Sequence, residues 1–171
     1  MENRKNYNNA IIASGNNAIA DGSVWVQGGK NNSLVGCAFE CLVKQECIGN
    51  RFKGISKGKT DVNFCGRRHE IKTNCGGYEN IAKADYVIYA IIDKTDRLDS
   101  DFVLNFSNVI PSQDFIEFLE SDSRNTKMNG NRKMIQNIKA NKSLRARFEE
   151  FIWNYPSLQE YLEELKEEGL R

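Results

Sequence analysis

Hydrophobic and polar residues alternate through the middle of the chain, which predicts extended strands there. The segment KTDVNFC (59–65) alternates, a turn is expected at Gly66, and RRHEIKT (67–73) alternates again. Because successive side chains of a strand point to opposite faces of a sheet, the two segments predict a hairpin with two different faces. On the second strand, the expected faces carry His69 and Ile71 on one side, and Arg68, Glu70 and Lys72 on the other.

A nearly continuous apolar run and several helical stripes predict the other elements. ADYVIYAII (84–92) is expected to be a strand that is covered on both faces. Apolar residues at helical spacing predict helices at about 33–47, 112–119 and 131–153. The order of helix, strands and helices favours an α/β or α+β domain with a central β-sheet flanked by helices.

Length and segment order divide the chain into three predicted parts. Its 171 residues suffice for one domain with a small appendage. We expect an N-terminal arm with short strands (1–32), a core (33–122) and C-terminal helices packed on that core (123–171). The last helix is predicted to begin after Ser157, because Ser157 and Glu160 have the spacing of a capping box.

Composition and charge favour a folded protein with basic surfaces. Hydrophobic residues make up 40% and charged residues 27% of the chain, which argues against general disorder. The net charge of +1 hides a segregation: residues 124–147 hold eight Lys or Arg and no acid, whereas residues 149–171 hold seven Glu. Such basic stretches favour contact with phosphate groups, although a solvated helix face explains them equally well.

The sequence predicts neither a membrane protein nor a secreted one. No apolar run approaches the roughly 18 residues that a membrane-spanning helix needs. The first residues, MENRKNYNNAIIASG, lack the apolar centre of a secretory signal. We therefore expect a cytoplasmic protein whose five cysteines are reduced thiols. A zinc site with Cys37 and Cys41 on one helix face is the alternative, but the chain has no Cys-x-x-Cys pair.

Three charged residues of the predicted hairpin are the strongest candidates for chemistry, and we call Asp61, Glu70 and Lys72 the charged trio. Glu70 and Lys72 share a strand face, and Asp61 is expected opposite or diagonal to Glu70. Two adjacent carboxylates repel one another unless a cation lies between them, and Mg²⁺ with oxygen ligands meets this requirement. The backbone carbonyl of Ile71 is a further candidate ligand. Lys72 is expected to orient or deprotonate a water, or to stabilise an oxyanion.

Basic residues lie near the charged trio and also further along the chain. Four neighbours are expected to attract a phosphate backbone: Lys57, Lys59, Arg67 and Arg68. The later basic stretch adds three candidate nucleic-acid contacts: Arg124, Lys127 and Arg132. The alternative for the trio itself is that Glu70 and Lys72 form an exposed ion pair of little energetic value.

The charged trio resembles the motif of the PD-(D/E)xK nuclease superfamily, which has an Asp at the start of one strand and Glu-x-Lys on the next. Here the motif reads TD at 60–61 and EIK at 70–72, with Thr60 in place of the motif's Pro. Glu40, in AFECLVK, stands where many members carry a helical Glu, and the resemblance extends over about residues 33–92. It implies a restriction-endonuclease-like mixed sheet flanked by helices, Mg²⁺ or Mn²⁺ as the metal, and hydrolysis of phosphodiester bonds.

These observations lead to hypotheses of three different classes. The first is a metal-dependent nuclease acting on DNA, an endonuclease rather than an exonuclease, with a homodimer expected by analogy alone. Its catalytic residues would be Asp61, Glu70, Lys72 and Glu40, and its metal ligands Asp61, Glu70, Glu40 and the Ile71 carbonyl. The second is a non-catalytic nucleic-acid-binding or inhibitory protein on the same fold, of viral or mobile-element origin. The third is a protein that binds a partner through its acidic C-terminal helix.

Overall fold

The structure is a computed structural model that describes residues 24–25, 32–49, 60–78, 80–93 and 96–171. The described residues form two compact units. The first unit comprises residues 24–25, 32–49, 92–93 and 96–104, and the second comprises residues 60–78, 80–91 and 105–171. The predicted boundaries after residues 32 and 122 stay predictions.

Short strands in the described part of the chain are connected by turns and helices. The strands are β1 (Val24–Trp25), β2 (Val62–Phe64), β3 (Arg67–Thr73), β4 (Gly76–Gly77), β5 (Tyr86–Ala90), β6 (Arg97–Leu98), β7 (Asn108–Pro111), β8 (Thr126–Asn129) and β9 (Arg132–Ile135). The α-helices are α1 (Asn32–Ile48), α2 (Ser100–Phe106), α3 (Ser112–Ser121), α4 (Lys142–Ile152) and α5 (Leu158–Glu167). No described helix combines the length and the apolar character that crossing a membrane would require.

In the first unit, α1 confirms the helix predicted at about 33–47. β1 and β6 form a short antiparallel pair in the same unit. The buried side chains of α1 include Phe39 and Val43, which lie one turn apart. Lys44 is also buried, and its Nζ lies 3.0 Å from Glu40 Oε1, so the helix compensates the charge it buries.

In the second unit, the predicted hairpin is present as β2 and β3. The two strands are antiparallel, with Val62 opposite His69. Their turn consists of Cys65 and Gly66, which have φ angles of 52° and 71°. Positive φ at both central residues is what a two-residue type I′ hairpin turn requires. This turn therefore sets the register that decides which residue of the first strand lies beside Glu70.

The main sheet has the strand order β2-β3-β5-β7. Its outer pairs are antiparallel and its central pair, β3 with β5, is parallel. The sheet is therefore mixed, and the predicted α+β fold class is confirmed. β5 corresponds to the predicted apolar strand, and its residues Val87 to Ala90 are 0% exposed. Its predicted coverage on both faces is confirmed as well.

The two faces of the main sheet are covered by different helices. The register places Val87 beside Glu70 and Tyr89 beside Lys72, so these four side chains share one face. On this face Val87 and Tyr89 join a buried cluster with α3, α4 and their neighbouring segments: Tyr78, Ile81, Ile110, Phe115, Leu119, Ile135, Ile138, Phe148 and Ile152. On the opposite face, α5 packs on β3 through Tyr161.

The helix predicted over 131–153 is wrong in its first part. Residues 126–135 form the antiparallel hairpin β8–β9, in which Asn129 is opposite Arg132 and Gly130 has a φ of 62° in the turn. The helix α4 begins only at Lys142. Because β9 pairs with β8 on one side and β4 on the other, strand pairing overrides the helix-like spacing of the apolar residues.

The other two helix predictions in this unit are confirmed. α3 covers the segment expected at about 112–119. α5 begins directly after Ser157, whose Oγ accepts a hydrogen bond from the Glu160 N–H at 3.2 Å. The cap satisfies one of the backbone donors that the first turn of a helix leaves unpaired.

Candidate functional site

Asp61 and Glu70 flank the last residue pair at the open end of the β2–β3 hairpin. In that pair Val62 is opposite His69; Asp61 directly precedes Val62, and Glu70 directly follows His69. The Asp61 Oδ2 atom accepts a hydrogen bond from the Ile71 N–H at 2.8 Å. This bond fixes the Asp61 carboxylate at the middle residue of the EIK segment.

Glu70 lies deeper in the protein than the other two members of the charged trio. It is only 2% exposed, whereas Asp61 and Lys72 are partly exposed. The alternative of an exposed ion pair is therefore wrong for Glu70. Burying an ionisable carboxyl is costly, and such groups are concentrated at functional sites. The trio thus combines one buried acid with an acid and an amine that solvent reaches.

The chain after Lys72 is held in place by β5 and β4. Tyr89, beside Lys72 in the register, donates its hydroxyl to the Asn74 carbonyl at 3.2 Å, and the Asn74 N–H donates to the Ala90 carbonyl at 3.4 Å. Burial raises the pKa of the Tyr89 hydroxyl, which keeps it a donor. A Cβ added at Gly76 would lie 4.0 Å from Lys72 Cδ, so the Lys72 side chain runs beside the backbone of β4.

The oxygen donors of the charged trio suit a hard divalent cation. Carboxylates and the Ile71 carbonyl are the ligands that Mg²⁺ prefers, and Mg²⁺ usually keeps several waters. The bond to the Ile71 N–H uses one lone pair of Asp61, so this carboxylate retains acceptor capacity. Within the described ranges, no three His, Cys, Asp or Glu side chains gather as a metal-binding group. A cation at this position would therefore rely on two carboxylates, the carbonyl and water.

Three predicted site residues keep their roles as predictions. Glu40 belongs to the first unit, where it pairs with Lys44 as described above. Lys57 and Lys59 lie outside the described residues.

Arg67 and Arg68, both predicted to bind phosphate, contact groups of the protein itself. Arg68 lies on the face of the charged trio, and its guanidinium contacts the two oxygens of Asp85 at 3.2 and 3.4 Å. Arg67 lies on the other face, where it donates to Tyr161 Oη at 3.3 Å and stands 5.2 Å from the ring centroid of Tyr86. A phosphate would have to compete with Asp85 for Arg68, whereas Arg67 helps to attach α5 to the sheet.

The three predicted contacts of the basic stretch lie in different environments. Arg124 Nη2 lies 2.7 Å from Asp122 Oδ2, and its hydrogen bonds lower the pKa of Asp122 to about 2. Lys127 and Arg132 are exposed on the two strands of the β8–β9 hairpin. The sequence prediction missed this hairpin, although Gly130–Asn131, at the two central positions of the turn, is a Gly-Asn hairpin signal.

His69 has a structural environment on the face opposite to the charged trio. Its ring is fully buried and stacks on Phe64 with the ring centroids 4.2 Å apart. Its Nε2 atom shares a hydrogen bond with Tyr161 Oη at 2.8 Å. Burial lowers the pKa of His69 to about 4, so the imidazole is neutral in the folded protein at neutral pH.

Mild acid is expected to destabilise the protein through His69. Since its folded pKa of about 4 lies below the ordinary value of 6.5, the unfolded state binds the extra proton first as pH falls. Stability from this group is complete above pH 6.5 and decreases toward pH 4. Between pH 7.5 and pH 5 the expected loss is about 2 kcal/mol of unfolding free energy, measured by urea denaturation.

The variant His69→Gln is the control for this prediction, because it cannot titrate and the chain has a single histidine. We expect it to be less stable than wild type at pH 7.5 but to lose less stability on going to pH 5. The same pH dependence in both proteins would show that His69 is not its source.

Comparison with known proteins identifies no relative, since no family model, no curated protein and no solved structure matches this chain.

Proposed function

We propose that this protein is a metal-dependent nuclease that hydrolyses phosphodiester bonds in DNA. The observation that carries the proposal is the 2.8 Å hydrogen bond from the Ile71 N–H to Asp61 Oδ2, because it holds the Asp61 carboxylate at the residue between Glu70 and Lys72. Asp61, Glu70 and the Ile71 carbonyl would hold Mg²⁺ or Mn²⁺. The bound ion would neutralise negative charge that builds on the phosphate during the reaction.

Lys72 is the residue proposed to act on the attacking water or on the phosphate. It is two residues from Glu70 on the same strand face and is partly exposed, so its ammonium can reach a ligand in front of the trio. There it would orient the water, or stabilise the additional negative charge on the phosphate oxygens. Lys127 and Arg132, exposed in the same unit, supply positive charge that attracts the phosphate backbone.

Incubation of DNA with the purified protein tests the proposal. We expect supercoiled plasmid to become nicked or linear in the presence of Mg²⁺ or Mn²⁺ and to remain intact in EDTA. Conversion of closed circles would identify an endonuclease, since an exonuclease needs an end. Circular single-stranded DNA serves as the second substrate. Absence of metal-stimulated cleavage of both substrates would refute the nuclease, and DNA binding without cleavage would favour the non-catalytic module on the same fold.

A further inference from the structure

The β8–β9 hairpin ends in a basic, solvent-exposed segment, residues 127–133, which we call the ribbon tip. Lys127, Arg132 and Lys133 are exposed there, and so is Met128, at 60%. The chain has no Asp or Glu from residue 123 to residue 148. The ribbon tip therefore lies in the most basic stretch of the sequence. The pKa of Lys133 is raised by its hydrogen bond to Tyr78 and also by Glu120, an acid from outside this stretch.

Lys127 and Arg132 present their charges on the same side of the ribbon tip. Asn129 is paired with Arg132, and Lys127 is two residues before Asn129, so both cations lie on one face of the hairpin. Among the described residues, no ion pair involves either of them, in contrast to Arg124 and Arg147, which both contact Asp122. Their charge is thus available to an external anion.

The ribbon tip projects beyond the rest of its sheet. β4 pairs with β9 only at Met134 and Ile135, and one further hydrogen bond joins the Tyr78 N–H to the Lys133 carbonyl at 3.4 Å. Beyond Lys133 the two strands continue for one more residue pair, Asn129 with Arg132, and end in the Gly130–Asn131 turn. A two-stranded ribbon of this kind has the width that the major groove of B-form DNA, about 12 Å across, admits.

The base of the ribbon is anchored close to the charged trio. Ile135 is fully buried in the core cluster, so the hairpin is fixed to the second unit. β4, to which β9 pairs, begins at Gly76, whose added Cβ would lie 4.0 Å from Lys72 Cδ. Anything bound along the ribbon would therefore extend from the neighbourhood of Lys72.

We propose that the ribbon tip enters the major groove of double-stranded DNA and contacts its phosphates through Lys127 and Arg132. Residues 127–133 contain no aromatic side chain, which single-strand binding surfaces use to stack bases. The major groove of duplex RNA is too narrow and deep for such an element. The groove contact itself is independent of catalysis. Its value for cleavage, which is to present the duplex to the charged trio, rests on the proposed nuclease function.

Fluorescence anisotropy with a labelled DNA duplex in EDTA tests this proposal without cleavage. We expect the double variant Lys127→Ala/Arg132→Ala to bind the duplex about tenfold or more weakly than wild type. The slope of log affinity against log salt concentration should decrease by about 2, one unit for each lost phosphate contact. The matched control is Lys83→Ala/Lys166→Ala, which removes two exposed lysines of the same unit and should leave the affinity within about twofold.

Several results would overturn the groove contact. The first two are an equal loss of affinity for duplex DNA in the tip and control variants, and a tip variant that binds duplex DNA like wild type. The other two concern wild type: tighter binding to single-stranded DNA or duplex RNA than to duplex DNA, and no binding to duplex DNA at all. Circular dichroism of each variant checks that these exposed substitutions leave the fold intact. Tip-dependent duplex binding without cleavage in Mg²⁺ would refute the nuclease alone, and cleavage with unchanged binding in the tip variant would refute the ribbon alone.

Discussion

Replacement of Glu70 by Gln or of Lys72 by Met is expected to reduce metal-dependent DNA cleavage by about 100-fold or more for each variant. Both substitutions keep approximately the size of the side chain and remove its charge. Glu70→Gln removes a proposed metal ligand, and Lys72→Met removes the group proposed to act on the water or the phosphate. Plasmid-nicking rates at saturating Mg²⁺ measure the effect, and binding to duplex DNA in EDTA should stay near the wild-type value.

Two control variants distinguish the loss of a charge in the charged trio from the loss of a charge elsewhere in the second unit. Glu163→Gln and Lys83→Met make the same chemical changes at exposed positions of the second unit, and both should cleave DNA like wild type. If Glu70→Gln and Lys72→Met also cleave at the wild-type rate while wild type needs metal, the catalytic site lies elsewhere.

Two substitutions of Asp61 distinguish its contribution to stability from its proposed contribution to catalysis. Asp61→Asn keeps an oxygen that can accept the Ile71 N–H but removes the negative charge, so it should lose activity and keep most of its stability. Asp61→Ala also removes the acceptor for a part-buried bond, which should lower the unfolding free energy by a further 1–3 kcal/mol or so. Equal stability of the two variants would contradict the importance of the bond.

Replacement of Phe148 by Ala is expected to lower the unfolding free energy by about 3–5 kcal/mol. The side chain of Phe148 is 0% exposed, and its ring centroid lies 5.6 Å from that of Tyr89 and 6.1 Å from that of Phe115. Truncation leaves a cavity against Tyr89, the residue that stands beside Lys72 and holds Asn74. The cavity should therefore weaken the packing beneath the charged trio as well as the packing of the core.

Phe106→Ala is the matched control, because Phe106 is the same residue type at 65% exposure. Its effect should stay within about 0.5 kcal/mol, the usual range for surface substitutions. Urea denaturation measures both variants, and Phe148→Leu provides a milder change if Phe148→Ala does not fold. Similar losses at positions 106 and 148 would contradict the assignment of Phe148 to the core.

The strands that carry the charged trio could be predicted because their information is local. The alternation in RRHEIKT determines which side chains share a face of β3, and the Cys65–Gly66 turn sets the register with β2. The buried run of β5 and the Ser157 cap of α5 are equally local signals. The sequence alone therefore supported the fold class and the candidate trio.

The β8–β9 hairpin was mispredicted because two local signals disagreed. Met134, Ile135 and Ile138 have a spacing compatible with a helix, whereas the Gly-Asn dipeptide at 130–131 favours a hairpin. Pairing of β9 with β4, a strand more than fifty residues earlier in the chain, favours the extended conformation. The periodicity of apolar residues within the segment carries no information about a pairing partner so distant in the sequence.

Burial and ion pairing were likewise decided by the tertiary structure alone. Glu70 and Arg68 lie on the same face of β3, yet Glu70 is 2% exposed and Arg68 lies at the edge against Asp85. Arg67 is held by Tyr161, which is 94 residues away in sequence. Alternation assigns a side chain to a face, but the elements that pack on that face determine whether water reaches it. For this protein, the sequence by itself determined the strands β2, β3 and β5, their faces and the residues proposed for chemistry. Only the folded chain decided the β8–β9 hairpin and which of the proposed residues are buried, paired or exposed.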